Sequence, residues 1–186
     1  MRSLTVLVDM DDVMWDLVGV WVAELNQRYG TSVNFEDITD WNIAKFFPEL
    51  TSSELFTPLY DPLLWAKLQP MDHAFPVMKR LIDDGHKIRP VTATHYRTVE
   101  PKMKRFLELY SYLKWEDVII ASDKSLIKGD VMIDDGTHNL ETTSCAKILF
   151  DRPHNRSYNA ERNGMSRAHD WDEIYQLVTE IAGGNE

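Results

Sequence analysis

The sequence is poor in cysteine and in long apolar runs, and each shortage excludes a class of protein. Cys145 is the single cysteine of 186 residues, so neither an internal disulfide nor a cluster of thiolate metal ligands can form. A membrane-spanning helix needs about 18 consecutive apolar residues, and no apolar run approaches that length. The N-terminal apolar run is soon broken by Asp9, which argues against a signal peptide. We therefore expect a protein of the reducing cytoplasm with no membrane partner.

Positive charge is also scarce, because 20 Lys and Arg stand against 30 Asp and Glu, for a formal net charge of −10. A protein that binds the backbone of a nucleic acid neutralises phosphates with a basic surface, so we expect no nucleic-acid polymer as a partner. An acidic protein can still bind a small phosphate when a metal ion brings the positive charge. The 44% of hydrophobic residues suits one domain, or one domain with an insert.

Short apolar runs alternate with helical patterns, which predicts an α/β domain with a parallel sheet covered on both faces. Five strands are predicted, at residues 4–8, 87–92, 117–121, 130–133 and 146–150. Helices are predicted at residues 13–29, 75–84, 101–110 and 172–182. Pro90 weakens the prediction that the second strand lies in the centre of the sheet, because proline cannot donate a ladder hydrogen bond.

Between Gly30 and about His73 the pattern changes to aromatic side chains interrupted by prolines. One capping box, Thr51 to Glu54, marks the start of a helix in this stretch. We interpret the stretch as an insert of short helices and turns with little strand. Two interpretations of its aromatics stay open: a small satellite core, or a lid that contacts a substrate.

Three acids follow the first predicted strand directly. Asp9, Asp11 and Asp12 lie within four positions, and Asp9 and Asp11 point the same way if the backbone is extended. Like charges held this close are unfavourable unless a cation or a proton relieves them. The alternative is that Asp11 or Asp12 caps the following helix, but one cap explains only one acid.

A second acidic pair, Asp134 and Asp135, ends another predicted strand and precedes Gly136. An Asp-Gly turn is the alternative interpretation of this pair. Because ligands of open α/β sheets bind beyond the carboxyl ends of the strands, the two acidic clusters can meet there. Together they form an all-oxygen site suited to Mg²⁺, which prefers carboxylates, water and substrate phosphate.

Two further predicted strands end in groups that can bind phosphate. Thr92, followed by Ala93, brings a hydroxyl and the backbone N–H groups beyond it. Lys124 follows the next strand and can pair with phosphate as a point charge. Each has an ordinary alternative, because threonine is common in strands and surface lysines are usually solvated. Lys102 and Lys128 compete with Lys124 for the role.

The four strand ends together predict phosphoryl-transfer chemistry. One carboxylate would attack a phosphoryl group, Mg²⁺ and a lysine would neutralise the phosphoryl oxygens, and a second carboxylate would handle the proton. Each group has a structural explanation when it is considered alone, but such explanations are less able to account for all four groups together.

These residues resemble a known family. The motifs that carry the resemblance to haloacid dehalogenase-like phosphatases are Asp9-Met10-Asp11-Asp12-Val13, Thr92-Ala93-Thr94, Lys124 and Asp134-Asp135. Most of the chain is similar to the 5'(3')-deoxyribonucleotidases, including residues 59–62 of the insert and residues 149–155. The resemblance implies a Rossmann-like catalytic core over residues 1–16 and 74–186, with a small helical cap inserted at residues 17–73.

The resemblance also implies roles for individual residues. Asp9 is the expected nucleophile, which forms an aspartyl-phosphate. Asp11 is expected to protonate the leaving nucleoside oxygen and then to activate the water that hydrolyses the intermediate. Thr92, Ala93 and Lys124 are the expected phosphate-binding residues.

The implied metal ligands and cap contacts complete the expected site. One Mg²⁺ is expected to bind the Asp9 carboxylate, the Asp11 backbone carbonyl and Asp135, with Asp134 in support. Trp41 and Tyr60 match positions that contact base and sugar, and Leu17 occupies a cap-contact position. The sequence departs from the family at two points, because better-known members have glycine at position 12 and an aromatic residue at position 17.

Our leading hypothesis is a Mg²⁺-dependent phosphatase that hydrolyses (deoxy)ribonucleoside monophosphates to nucleoside and phosphate. The alternatives are a phosphatase of another small phosphomonoester and a non-catalytic nucleotide-binding module. A signalling receiver domain uses similar residues, but its phosphoacceptor lies on a later strand than its acidic pair. The expected partner is a nucleoside monophosphate, and a homodimer, the base preference and the position of the phosphate are left open.

Overall fold

The computed structural model describes residues 2–184 and is built on a sheet of six parallel strands. The strands are β1 (Thr5–Asp9), β2 (Lys87–Thr92), β3 (Ile119–Ile120), β4 (Val131–Asp134), β5 (Ala146–Phe150) and β6 (Ser166–Ala168). Their order across the sheet is β3-β2-β1-β4-β5-β6, and every neighbouring pair is parallel. The predicted Rossmann-like α/β sheet is confirmed. Met1, Asn185 and Glu186, which the predicted catalytic core includes, lie outside the described residues.

The prediction of five strands was wrong, because β6 was missed. β6 extends the sheet beyond β5, with Phe150 opposite Ala168. It has only three residues, of which Ser166 is exposed and Ala168 alone is buried. Such an edge strand shows neither an apolar run nor an alternating pattern, so nothing in the local sequence predicts it.

Pro90 lies in a strand that has neighbours on both sides, and the short length of β3 explains why this is tolerated. β1 pairs with β2 from Lys87 to Val91, but β3 is opposite only Val91 and Thr92. Pro90 therefore lies where β2 has one neighbouring strand, and its missing N–H leaves no gap in the β2–β3 ladder.

Seven α-helices connect and cover the strands of the described chain. They are α1 (Leu17–Tyr29), α2 (Ser52–Phe56), α3 (Pro62–Ala66), α4 (Ala74–Asp83), α5 (Val99–Leu109), α6 (Thr137–Thr142) and α7 (Trp171–Gly183). None of the helices within residues 2–184 is both long and apolar enough to span a bilayer. Helix α1 begins four residues later than predicted, because Asp16 accepts a hydrogen bond from the Gly19 N–H and caps the helix there. The short helix α6 was not predicted.

The apolar core is continuous across the predicted boundary between catalytic core and cap. Val6 and Val8 of β1 belong to the same cluster of buried side chains as Trp21 of α1 and Trp65 of α3. Residues 17–73 carry α1 to α3 and no strand of the sheet. The predicted Thr51–Glu54 capping box forms, with the Glu54 N–H 3.2 Å from the Thr51 hydroxyl. The role of residues 17–73 as a cap stays a prediction.

Candidate active site

The candidate site lies at the carboxyl edge of the sheet, between β1 and β4. These strands are neighbours, with Val8 opposite Ile133. The chain runs from β1 to β2 and β3 on one side and then returns to β4 on the other, so the strand order reverses here. Ligands of open α/β sheets bind at such a switch point. Asp9 ends β1 and Asp134 ends β4, which brings the two acidic motifs together.

Three buried carboxylates form the centre of the site. Asp9, Asp134 and Asp135 each offer one oxygen, and these oxygens lie within 4.8 Å of one another. Burial raises the pKa of Asp9 well above the usual range, and the nearby Lys124 ammonium offsets part of this effect. Burial and the Asp134 carboxylate raise the pKa of Asp135 to about 8. Asp9 and Asp135 therefore carry their negative charges at a cost that a nearby cation would relieve.

Lys124 provides one positive charge among these carboxylates. Its ammonium is buried, donates to the Asp9 carboxylate and lies 2.6 Å from Asp134 Oδ2. Burial alone lowers the pKa of Lys124, but the Asp9 and Asp134 carboxylates outweigh it, so the pKa lies above its usual value. The other Asp134 oxygen accepts from the Gly136 N–H at 2.8 Å and from the Asn139 amide at 3.0 Å. Both carboxylate oxygens of Asp134 thus accept hydrogen bonds from the protein.

Asp135 is held from the other side by the segment that follows β5. The Asn155 amide donates to the Asp135 carbonyl at 2.9 Å and to the Phe150 carbonyl at 2.8 Å. His154 Nε2 lies 3.2 Å from Asp135 Oδ2. Burial lowers the pKa of His154, which favours the neutral ring. These contacts fix the backbone of Asp135 and leave its carboxylate directed at Asp9 and Asp134.

The donor set fits a divalent cation. When all three carboxylates are ionised, they leave two negative charges against the one Lys124 ammonium, and every ligand atom offered is an oxygen. Mg²⁺ prefers such hard oxygen ligands together with water and phosphate. Within residues 2–184 this is also the one group of three or more acidic, histidine or cysteine side chains close enough to share an ion.

Asp11 is not a member of this carboxylate cluster and is held at both of its own carboxylate oxygens. Trp15 Nε1 donates to Oδ1 at 2.9 Å, and Lys102 Nζ donates to Oδ2 at 2.5 Å. The same Lys102 ammonium lies 2.5 Å from the hydroxyl of the fully buried Thr92. Lys102, which the sequence offered as a rival of Lys124, therefore contacts a different carboxylate.

Asp12 occupies a left-handed backbone conformation. Its φ is 58°, in the left-handed region that glycine adopts without steric penalty. Its buried carboxylate accepts from the Val18 N–H at 3.2 Å, so it helps to cap α1, and pairs with Arg152 at 3.1 Å. Burial raises the pKa of Asp12 well above the usual range, and Arg152 acts against this rise. The capping alternative thus applies to Asp12.

A cavity of about 530 Å³ opens above the carboxylates. Its polar end is formed by Asp9, Asp11, Asp12, Ala93, Ser122, Lys124 and Asp135. Its apolar end is formed mainly by residues 17–56, among them Leu17, Trp21, Trp41, Ile43 and Phe56. An acidic floor beneath an apolar, partly aromatic wall can hold a molecule that has a phosphate at one end and a flat ring at the other.

Two of the three predicted cap contacts line this cavity. Leu17 belongs to its buried wall, and Trp41 is 58% exposed with its ring edge-on to His138 and His154, at centroid distances of 4.8 and 5.2 Å. Tyr60 does not line the cavity. Its ring packs under the Arg97 guanidinium at 4.1 Å and beside His95.

Several residues that line the cavity have little or no distinguishing signal in the sequence. Trp21 lies one helical turn after Leu17, so the helical spacing placed it in the core without distinguishing it from a cavity wall. His138 and Asn139 lie within a few residues of the second acidic motif, and this proximity could have identified them as residues of the cavity. Phe56 lies in the insert, where no sequence pattern distinguishes one aromatic residue from another.

Comparison with known proteins decides the family. The family model described as "5' nucleotidase, deoxy (Pyrimidine), cytosolic type C protein" matches residues 2–182. The chain belongs to this family. The 5'(3')-deoxyribonucleotidase of Bacillus subtilis (strain 168) is 34% identical over 171 residues, which cover 91% of this chain and 95% of the relative. The 5'(3')-deoxyribonucleotidase of Clostridium acetobutylicum is 30% identical over 181 residues, covering 97% and 98%. The protein is thus a hydrolase, a deoxyribonucleotidase-like phosphomonoesterase.

Solved structures show the same fold at low sequence identity. A haloacid dehalogenase family hydrolase from Deinococcus radiodurans, crystallised with bound phosphate and sodium, matches with a TM-score of 0.67 and 12% identity, covering 95% of each chain. A haloacid dehalogenase-like family protein from Streptococcus pneumoniae matches with a TM-score of 0.67 and 12% identity, covering 95% of this chain and 98% of the other. The fold is therefore that of the haloacid dehalogenase-like hydrolases.

Proposed function

We propose that this protein is a Mg²⁺-dependent phosphatase that hydrolyses (deoxy)ribonucleoside monophosphates to nucleoside and phosphate through an aspartyl-phosphate. The observation that carries the proposal is the position of Asp9. Its carboxylate ends the central strand, lies in a buried acidic cluster beside Lys124, and lines the floor of the cavity. A nucleophile placed there meets the phosphate end of a substrate whose other end contacts the apolar wall.

The first half of the reaction would transfer the phosphoryl group to Asp9. An Asp9 oxygen attacks phosphorus, and the bond from phosphorus to the nucleoside oxygen breaks. Asp11 gives its proton to that oxygen as the nucleoside leaves. In the second half, Asp11 takes a proton from water, the water oxygen attacks phosphorus, and inorganic phosphate is released with Asp9 regenerated. Both carboxylates line the same cavity, as this order of chemical steps requires.

The Mg²⁺ ion would be held by the Asp9 carboxylate, the Asp11 backbone carbonyl and Asp135, with Asp134 in support. When bound, it would neutralise charge on the phosphoryl oxygens. Lys124 supplies a further positive charge at the same floor. Asp134 contributes chiefly by holding Lys124, because its oxygens are already engaged by the lysine, Gly136 and Asn139.

Phosphate binding would use Lys124 and the backbone at Ala93, both of which line the cavity. Thr92 is fully buried, and its hydroxyl is in contact with Lys102. We therefore assign two roles to Thr92. It supports Lys102 and the loop at Ala93, and its hydroxyl binds the substrate phosphate.

The nucleoside would lie against the aromatic and aliphatic wall supplied by residues 17–73, which is the cap role proposed for this segment. Trp41 presents the most exposed ring of that wall, and base–aromatic stacking contributes about 1–3 kcal/mol per base. Leu17 offers a smaller surface than an aromatic ring at the same position. Pyrimidine deoxynucleotides are the first substrates to test, because the matching family is described by them.

The test is a phosphate-release assay over all ribo- and deoxyribonucleoside 5'- and 3'-monophosphates, with Mg²⁺ and with chelator. We expect release that depends on Mg²⁺ and favours deoxynucleotides. Asp9→Asn should abolish turnover while thermal denaturation shows a folded protein. Preference for sugar phosphates would favour a phosphatase of another small phosphomonoester, and tight nucleotide binding without phosphate release would favour a binding module. A folded Asp9→Asn variant with full activity would exclude the covalent mechanism.

A further inference from the structure

We propose that Lys102 is a positioning residue that orients the Asp11 carboxylate for the second half of the reaction, in which the aspartyl-phosphate is hydrolysed. This inference rests on the proposed function, because it takes Asp11 as the group that activates water. Lys102 is one of two buried lysines at the site, and each contacts a different carboxylate. Lys124 contacts the nucleophile Asp9, and Lys102 contacts Asp11.

The burial of Lys102 is unusual for a lysine that has no contact with the cluster of Asp9, Asp134 and Asp135. Its side chain is 1% exposed, and an ammonium that leaves water is stabilised only by close polar partners. Its partners are the Asp11 carboxylate and the Thr92 hydroxyl, each 2.5 Å away, and the ring of Trp65, 5.6 Å from Nζ. Both polar partners belong to the proposed catalytic machinery.

The two donors to Asp11 fix both the position and the rotation of its carboxylate. Trp15 Nε1 holds one oxygen and Lys102 Nζ holds the other, so rotation about the side-chain torsions would break at least one hydrogen bond. A base that takes a proton from water works faster when its orientation is fixed, because a misplacement of about 1 Å can lower a rate by about 10²-fold. Lys102 does not line the cavity, so it acts on the reaction through Asp11.

Hydrogen bonds hold helix α5 in place, and they keep Lys102 in a fixed position relative to Asp11. One turn after Lys102, the Arg105 guanidinium donates to the Leu68 carbonyl at 2.6 and 3.0 Å. Just beyond the helix, the buried Tyr110 hydroxyl donates to the Met14 carbonyl at 2.5 Å. These bonds tie α5 to the loop that carries Asp11 and to the end of the segment 17–73.

The experiment compares Lys102→Met with Lys102→Arg and uses Lys104→Met, an exposed lysine on the same helix, as the matched control. The probe is p-nitrophenyl phosphate with Mg²⁺, because its leaving group needs no protonation and the first half-reaction stays fast. We expect kcat of Lys102→Met to fall roughly 10- to 100-fold. KM should fall in proportion, so that kcat/KM stays within about threefold, because kcat/KM reports only the first half-reaction.

The accumulated intermediate provides an independent readout. Rapid mixing of Lys102→Met with p-nitrophenyl phosphate should give a burst of p-nitrophenolate close to the enzyme concentration, followed by slow turnover. Lys102→Arg should keep kcat within about tenfold of the wild type because it retains the positive charge, and Lys104→Met should match the wild type. Trp15→Phe removes the other donor to Asp11 without touching Lys102, and should give a weaker burst of the same kind.

The outcomes separate this inference from the proposed function. A fall of kcat/KM as large as that of kcat, with no burst in either Lys102→Met or Trp15→Phe, would show a general structural role and overturn the inference. Wild-type kinetics in Lys102→Met would overturn it as well. Asp11→Asn is the reference: a burst there but not in the Lys102 variants rejects the role of Lys102 alone. Unchanged turnover in Asp11→Asn would reject the role that the proposed function gives to Asp11.

Discussion

Asp12 and Arg152 show how a buried acid is compensated by another residue. The left-handed backbone at Asp12 is strained for any side chain other than glycine, and the carboxylate it brings is buried. The Arg152 guanidinium pairs with Asp12 at 3.1 Å, also contacts Asp16, and lies over the Phe35 ring at 4.4 Å. The arginine therefore links the loop after β1, the start of α1 and the segment 17–73.

Removing this arginine should cost more than removing both members of the pair. Arg152→Met leaves the Asp12 carboxylate buried without its cation, and we expect the free energy of unfolding to fall by about 3 kcal/mol. The double variant Asp12→Gly with Arg152→Met removes the stranded charge and the backbone strain, so it should recover a large part of that loss. Chemical denaturation of the wild type, both single variants and the double variant measures the coupling. Additive effects would show that the two residues do not depend on each other.

At the scale of elements, the site is divided between strand ends and helical segments. The strand ends and the loops directly after them supply the carboxylates, the backbone at Ala93 and, after β3, Lys124. Helix α1 contributes one face to the cavity, where Leu17 and Trp21 lie one turn apart. The acidic residues and the lysine of the cavity thus come from the edge of the sheet, and its apolar surface comes mainly from the helical segment.

Trp41 should affect substrate binding more than the chemical step. Because its exposed ring lines the cavity, Trp41→Ala should raise KM for a deoxyribonucleoside monophosphate about tenfold with a small change in kcat. Tyr60→Ala is the matched control, because Tyr60 contacts Arg97 and His95 outside the cavity. Steady-state kinetics of both variants decide the point. An equal rise of KM in both would place Tyr60 in the substrate site after all.

For the whole molecule, a group of buried acids lies at one edge of the sheet. The formal charge of −10 includes the buried acids Asp9, Asp12, Asp134 and Asp135, all at one edge of the sheet. Burial raises the pKa values of three of them, those of Asp9, Asp12 and Asp135. In the absence of a cation, folding therefore opposes ionisation at this edge.

The stability of the metal-free protein should fall as pH rises from 7 to 8. The pKa of Asp135 is about 8 when folded, whereas an aspartate in an unfolded chain has a pKa of about 3.9. Between these values the folded state binds a proton that the unfolded state has released, so stability falls with rising pH. Burial lowers the pKa values of His86 and His154, so these histidines are already neutral in this window. Thermal denaturation with chelator at several pH values gives the slope.

Mg²⁺ should reverse this dependence. A cation that binds only the folded state raises the denaturation temperature, and it binds ionised carboxylates, so the rise should be larger at pH 8.5 than at pH 7. The control is Asp135→Asn, in which both the slope and the Mg²⁺ effect should shrink. A rise in denaturation temperature that is the same at both pH values and unchanged in Asp135→Asn would indicate that Mg²⁺ binds elsewhere.

The amino-acid sequence alone was enough to predict the strands that carry apolar runs, and the acids, threonine and lysine at their ends, because these patterns are local and repeat with the period of the element. It also predicted that Asp9 and Asp135 would meet, because parallel strands share one edge. The folded chain was needed to show that β6 joins the sheet, that Lys102 contacts Asp11, and that Tyr60 contacts Arg97 and does not line the cavity. Each of these depends on contacts between residues distant in the chain, which leave no periodic signal in either partner's own segment.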